Sequence, residues 1–356
     1  MDEMENRLVR LPGALLPWYR ENRRVLPWRE EVSAYRTWVS EIMLQQTRVA
    51  AVIPYFQRFM AAYPTVEDLA ACDEGELMRL WAGLGYYSRA RNLRRAARVI
   101  AEEYGGAFPR TYQELMALPG VGDYTAGAIA SIAFGLPEPA VDGNLLRVLS
   151  RVDGCFDDIT SGAVKKTWAE RLRTSVPEQP KDAATFTQAM IELGATVCVP
   201  NGEAKCPDCP FLPWCRAAKE GLTEVLPVKG EKKPRRIEEK TVFLIRDGER
   251  VALHRRPERG LLAGLYELPN VPGHLEEDRV AGRIRDFGLE PLRVRRMGDA
   301  KHIFTHIEWH MIAYDVRIAA EPEGEHPQSG LVFADIADVR ARYAIPSAFA
   351  AYTKYI

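Results

Sequence analysis

Apolar residues recur at three- and four-residue spacing through most of the first 225 positions. The windows 13–20, 34–46, 48–61, 76–84, 89–103, 123–134, 143–152, 163–174 and 182–196 each show it. That spacing puts one apolar stripe on each segment and predicts a chain of amphipathic helices over residues 7–225. Tyr63-Pro64-Thr65 and Gly105-Gly106 mark breaks, while Asp73, and Thr111 with Glu114 three residues on, read as helix starts. Residues 227–239 are charged, contain proline and carry no apolar period, so they read as a linker. Beyond them the period shifts towards two. Residues 240–245, 251–254, 292–297, 303–307 and 309–316 are predicted strands, with one helix over about 276–287. An all-α part is thus followed by a smaller α+β part.

Length adds two or three domains to this picture, since 356 residues exceed one ordinary core. No run of eighteen apolar residues is present, and MDEMENRLVR lacks the apolar centre of a secretion signal, so a cytoplasmic protein without membrane spans is expected. Net charge is −1, and residues 1–230 hold 27 Lys plus Arg against 29 Asp plus Glu. Bulk charge therefore does not mark a nucleic-acid binder, and any such affinity must be local. Arg91, Arg94, Arg95 and Arg98 share a helical face that could meet phosphates, although a solvated face has the same composition. Four of the six cysteines, Cys198, Cys206, Cys209 and Cys215, fall within eighteen residues. In a cytosolic chain such clustering favours a metal site over disulfides.

Two further stretches carry chemistry. In Leu118-Pro119-Gly120-Val121-Gly122, Gly120 and Gly122 permit a tight turn ahead of a helix starting near 123–125. The unpaired N–H groups of such a start can grip a phosphate. About twenty residues on, Asp142 precedes Gly143-Asn144-Leu145-Leu146. It reads as a helix cap, a position that also holds a carboxylate rigidly where positive charge must be stabilised. Upstream, Glu41 lies one turn from Trp38 and beside Ile42. Apolar walls would raise its pKa and suit it to general-acid work, whereas taken alone such a residue is more often an exposed helix glutamate.

LPWR at 26–29, SEIMLQQTRV at 40–49, GLGYYSRARNL at 83–93, LPGVGDYTAGAI at 118–129 and VDGNLLRVLSR at 141–151 together resemble the endonuclease III–MutY superfamily, and within it the adenine DNA glycosylases. The likeness runs from about residue 7 to the end. It implies an all-α helix-hairpin-helix glycosylase core with an iron–sulfur module, plus an α+β Nudix-like C-terminal domain. The expected domains are 1–226 (a six-helix barrel lobe over about 27–134, an iron–sulfur lobe from 1–26 and 135–226), the linker 227–239, and 240–356. Lyase branches of the superfamily carry lysine where this chain has Tyr124, so a monofunctional enzyme is implied. Cys206-x2-Cys209-x5-Cys215 has the family's 4Fe–4S spacing, while between Cys198 and Cys206 lie seven residues where the family has six; zinc is the alternative. In the tail, GLLAGLYELP at 260–269 is the clearest Nudix-like match, and the acidic box for Mg²⁺ is missing from EEDRVAGRIRDFG at 276–288. Phe304-Thr305-His306 is similar to the family's 8-oxoguanine-reading loop; a strand with Phe304 in the core is the other reading.

By this resemblance the substrate is duplex DNA with adenine opposite 8-oxoguanine or guanine, bound by a monomer with the adenine flipped out. Glu41 would protonate adenine N7 and later activate water. Asp142 would stabilise the oxocarbenium-like sugar, with Asn144 and Tyr124 holding the sugar and Asp142. Trp28, Arg29 and Gln188 would surround the base. Leu44, Gln45, Gln46 and Tyr86 would enter the duplex, Arg91 and the Gly120–Gly122 turn would contact backbone, and Phe304, Thr305 and His306 would read the opposite lesion. The rivals are a pyrimidine-lesion glycosylase/lyase, a non-catalytic binder of 8-oxoguanine DNA, and a nucleotide-pool hydrolase. Tyr124, the pairing of Glu41 with Asp142, and the missing acidic box respectively argue against them.

Overall fold

A computed structural model describes residues 3–231, 234–320 and 325–356. Two compact units emerge: Met1–Cys72 with Arg91–Glu231, and Asp73–Ala90 with Lys232–Ile356. Among the described residues no helix is long and apolar enough to cross a membrane.

The chain folds in order into α1 (Glu3–Asn22), α2 (Pro27–Glu30), α3 (Ala34–Leu44), α4 (Val49–Ala62), α5 (Val66–Ala71), α6 (Glu74–Trp81), α7 (Ser88–Glu103), α8 (Tyr112–Ala117) and α9 (Asp123–Ala128). A π-helical turn, Ile129–Ala133, follows α9. Then come α10 (Gly143–Asp153), α11 (Gly162–Arg173), α12 (Pro180–Thr196) and α13 (Arg216–Glu220). Every predicted helix is present. The window 123–134 is not uniform, however, because the α-geometry of Asp123–Ala128 gives way to wider π-turns at Ile129, a distortion that often accompanies functional sites.

In the first unit one core gathers α1, α10 and α12. Leu8, Leu11, Leu15 and Tyr19, at steps of three and four, meet Leu146, Leu149, Phe186, Met190 and Leu193, all buried. Each such side chain contributes about 1.5–3 kcal/mol by leaving water. Helix α3 packs on α4, on α9 and on the π-turn. It buries Tyr35, Thr37, Trp38, Val39, Ser40, Glu41, Ile42 and Met43, so it is covered nearly all round.

The second unit is built on a mixed sheet of β1 (Arg236–Arg246), β2 (Arg250–Arg255), β3 (Tyr266–Glu267), β4 (Asn270–Pro272), β5 (Pro291–Arg296), β6 (Ala300–Ile303), β7 (Ile307–Ile318) and β8 (Leu331–Asp335). Strand β1 runs parallel to β7, from Arg236 opposite Ile307 to Arg246 opposite Arg317. Val242 and Leu244 face one core with Trp309, Met311, Phe349 and Tyr352. Phe243 and Ile245 face another with Tyr314, Val316 and the helix α14 (Glu277–Asp286), through its Val280 and Ile284. Helices α15 (Ile336–Arg342) and α16 (Ala350–Thr353) complete the chain.

Three expectations need correction here. The strands do not alternate apolar and polar residues through their length: burial on both faces makes β1 apolar without break from Val242 to Ile245. Residues 236–239, expected in the linker, already pair with β7. The stretch 303–307 is not one strand. Ile303 ends β6, Ile307 begins β7, and Phe304-Thr305-His306 forms the turn between them, closed by Phe304 N–H to Ile307 O at 2.8 Å.

Candidate active site

Helix α3 starts at Ser33, whose Oγ accepts from Arg36 N–H at 3.1 Å, and it carries Glu41 in its third turn. Helix α10 starts at Asp142, whose Oδ1 accepts from Leu145 N–H at 2.8 Å, and it ends on Gly154 in the left-handed conformation. Both carboxyl groups line one cavity of about 1000 Å³ in the first unit. Trp28, Arg29, Leu44, Gln45 and Gln46 line it as well, and so do Tyr124, Asn144 and Gln188. The structure thus gathers ten expected site residues at one place. Gly120, Gly122 and Arg91 do not line this cavity.

Glu41 is 7 % exposed. Burial pushes its carboxyl up to about 7, against the opposing effect of a hydrogen bond from Tyr124 Oη to Oε2 at 2.6 Å; nearby Asp142 adds to the rise and Arg29 offsets it. The apolar surroundings differ from those expected. Trp38 packs edge-on against Phe108, with ring centroids 5.5 Å apart, and does not line the cavity; Leu26, Trp28 and Ile132 supply its apolar wall. Burial also raises Asp142, opposed by bonds from Leu145 N–H and Asn144 Nδ2, the latter at 2.7 Å. Asn144 is itself fixed: its Oδ1 accepts from Arg147 Nη2 at 3.0 Å, and Arg147 continues to Gly194 O at 2.6 Å and Cys198 O at 2.7 Å. Asn144 is thus bonded to Asp142, while Tyr124 is joined to Glu41 rather than to Asp142.

Arg29 and Arg24 converge on Glu192, which is fully buried: Arg24 contacts it at 2.7 and 2.9 Å and Arg29 at 2.9 Å. The Tyr19 ring lies beneath Arg29, 5.6 Å from its guanidinium carbon, and Tyr19 Oη donates to Gln188 Oε1 at 3.2 Å. Arg147, Glu192, Arg24 and Tyr19 were not singled out in the sequence. Only Arg147 left a local signal, three residues beyond Asn144 on a capped helix.

The glycine turn is as expected at one position only. Gly120 has φ +77°, and a Cβ there would lie 2.5 Å from Asn92 Cβ. Gly122 is the extended cap of α9, with φ −108° and open space beside it. Among the described residues three non-glycines hold left-handed backbone, and two of them, Gln46 (φ +61°) and Tyr86 (φ +48°), are residues expected to enter the duplex. Such strain persists where a side chain must be aimed. In the second unit Tyr86 Oη lies 3.0 Å from Thr305 Oγ1. Phe304 packs on His302 and Trp309, with centroids 4.6 and 4.8 Å away, and His306 O accepts from Arg236 N–H.

Cys198, Cys206, Cys209 and Cys215 line a second, smaller cavity beside Arg151. Burial raises the Cys206 and Cys215 thiols and pushes Cys209 up to about 12, and Arg151 Nη1 meets Cys198 Sγ at 3.3 Å. No three His, Cys, Asp or Glu side chains among the described residues are grouped so as to hold a single metal ion. Four thiols around one pocket are a donor set that, deprotonated, suits a thiolate-bound metal site.

Residues 39–174 match the model of the HhH-GPD superfamily of base excision DNA repair proteins, and residues 241–355 match that of the NUDIX domain. An endonuclease III–DNA complex aligns with a TM-score of 0.52 at 26% identity, covering 62% of this chain and 99% of that one. A thermostable thymine-DNA glycosylase aligns at 0.54 and 27%, covering 62% of this chain and all of the other. A helix-hairpin-helix base-excision core joined to a Nudix-like domain is the class that fold and site define. Adenine DNA glycosylases share this class: that of Mus musculus is 36% identical over 326 residues, 77% of this chain and 62% of its own length. That of Buchnera aphidicola subsp. Baizongia pistaciae is 32% identical over 256 residues, 72% of this chain and 71% of its own. The chain belongs to the adenine DNA glycosylase family. It spans about three fifths of the mouse relative's length.

Proposed function

We propose that the protein is a base-excision repair enzyme that hydrolyses the N-glycosidic bond of adenine paired with 8-oxoguanine or guanine, without lyase activity. The observation that carries this reading is the pairing, across one cavity, of a carboxyl raised to about 7 with a second carboxylate held by a helix cap and an amide. A carboxyl raised into the range of a general acid, facing a second one fixed by hydrogen-bond donors, supplies the two groups that an acid–anion pair needs.

Protonated Glu41 gives its proton to adenine N7. The C1′–N9 bond then breaks with its electron pair going to the base, and the sugar becomes oxocarbenium-like. Asp142, whose Leu145 and Asn144 donors oppose the upward effect of its burial, faces that charge. Water adds to C1′ and its proton returns to Glu41, so the enzyme ends as it began. Tyr124 offers a phenol where a lyase needs an amine, and its hydroxyl is committed to Glu41. Trp28, Arg29 and Gln188 would enclose the base, and Leu44, Gln45 and Gln46 would occupy the space it leaves. Tyr86, Phe304, Thr305 and His306 would address the opposite lesion, and the Gly120–Gly122 turn and Arg91 the backbone.

Cys198, Cys206, Cys209 and Cys215 would hold a 4Fe–4S cluster, which supplies four metal–thiolate bonds that cross-link the segment 198–215. The protein should then absorb at about 400 nm. Cys206→Ser should lower that band and the protein's resistance to proteolysis together; a colourless protein with stoichiometric zinc would reverse the assignment.

Because the Tyr124 bond lowers the Glu41 pKa, Tyr124→Phe should move the alkaline limb of the rate profile upward and slow excision by about tenfold. An unmoved limb would remove Tyr124 from this role. The function itself is tested on duplexes with adenine opposite 8-oxoguanine, guanine or thymine. The expected result is strand cleavage only after alkali and only with the first two. Nicking before alkali would favour a lyase, and binding without cleavage would favour a reader.

A further inference from the structure

Helix α3 presents Thr37 and Glu41 one turn apart on the same face, and both line the large cavity. Thr37 is 3 % exposed. Its backbone is satisfied: the N–H donates to Ser33 O at 2.9 Å, and the C=O accepts from Ser40 Oγ at 2.9 Å. Its hydroxyl has no partner among the described residues. A buried threonine in a helix ordinarily returns this hydroxyl to a carbonyl one turn back, and valine would fill the same volume without burying an unbonded polar atom.

The neighbouring polar groups are committed elsewhere. Tyr124 donates to Glu41, Asn144 bridges Asp142 and Arg147, Tyr19 donates to Gln188, and Gln45 reaches Thr125. Of the buried side-chain polar atoms without a partner among the described residues, only Thr37 Oγ1 belongs to a residue lining this cavity. One staggered step of χ1 exchanges Oγ1 with the methyl group, and the hydroxyl has no bond to lose in turning.

We propose that Thr37 is a substrate-binding residue, and that its hydroxyl accepts a hydrogen bond from the 6-amino group of the extruded purine. This rests on the reading that Glu41 addresses N7 of an adenine in this cavity. On adenine, the N7 acceptor and the 6-amino donor are adjacent on one edge. A long side chain and a short one, one helical turn apart, meet those two positions in order. The hydroxyl can also donate, so the contact serves a 6-oxo group as well; what it distinguishes is a purine with a 6-substituent from one without.

The test compares single-turnover base release from duplexes carrying adenine or unsubstituted purine opposite 8-oxoguanine, with wild type, Thr37→Val and Thr37→Ser. Wild type should release both bases. Thr37→Val should slow adenine release by about tenfold, the loss of one hydrogen bond, and leave purine release within about twofold. Thr37→Ser should stay near wild type on both. The melting temperature of Thr37→Val should equal or exceed that of wild type, which separates a lost contact from a damaged fold. Equal slowing of both bases would make Thr37 structural, and no slowing of either would make its hydroxyl idle; each overturns the proposal alone. Release of neither base by wild type would overturn the adenine reading with it.

Discussion

Glu41→Gln should lower the single-turnover rate of adenine release by about 10²–10⁴-fold, the contribution of one placed proton donor. The amide keeps the shape and still accepts from Tyr124 Oη, so only the proton is lost. The same substitution should stabilise the protein in alkali. In the folded chain the carboxyl is raised from 4.5 to about 7, so the native state holds its proton more tightly than the unfolded state does. Below about pH 4 both states are protonated and the group has no effect on stability. As pH rises from about 4.5 to about 7 the unfolded chain ionises first and the fold loses stability, by up to about 3 kcal/mol once above about 7. Urea melts should therefore find Glu41→Gln firmer than wild type at about pH 8 and equal to it at about pH 4. Wild-type activity should fall as pH rises through about 7, because the protonated carboxyl is the working form. A variant with full activity, or with no gain in alkali, would contradict the role and the burial respectively.

Asp142→Asn should cost about 10²–10³-fold in the same assay, the range for removing one fixed charge-stabilising group. Asparagine caps a helix as well as aspartate, so α10 should still start at this position and the melting temperature should stay within a few degrees. Two things change. The negative charge facing the sugar disappears, and where Oδ2 had accepted from the Asn144 amide the substituted side chain can present an NH₂ group instead. Affinity for the mispaired duplex should be retained, since the loss falls on the transition state. Undiminished base release with tight binding would show that the cavity works without an anion at this position.

Much of this site was legible because it is local in sequence. A cap residue and a glycine turn each announce themselves over a few positions, and Asp142 and Gly120 did so, while Glu41 stands out only together with the motif around it. Helix existence was legible for the same reason, since one apolar stripe per segment suffices. What was hidden depends on partners far along the chain. Glu192 meets Arg24 across 168 residues, and Tyr19 meets Gln188 across 169, with nothing nearby to mark either contact. Trp38 looked like the wall of the Glu41 site because it is one turn away, yet Phe108 claims its ring. The turn at 304–306 was obscured by its apolar neighbours: Ile303 and Ile307 fit one strand by period, and only pairing shows that they belong to two.

The most direct test is the identity of the base released by wild-type protein from a duplex with a single adenine opposite 8-oxoguanine, read by mass spectrometry in single turnover beside Glu41→Gln and Asp142→Asn. The account predicts free adenine in amounts equal to the abasic sites formed, an unbroken strand until alkali is added, and release slowed at least about a hundredfold in both variants. Free adenine at wild-type rates from both variants, or no adenine from wild type, would contradict it.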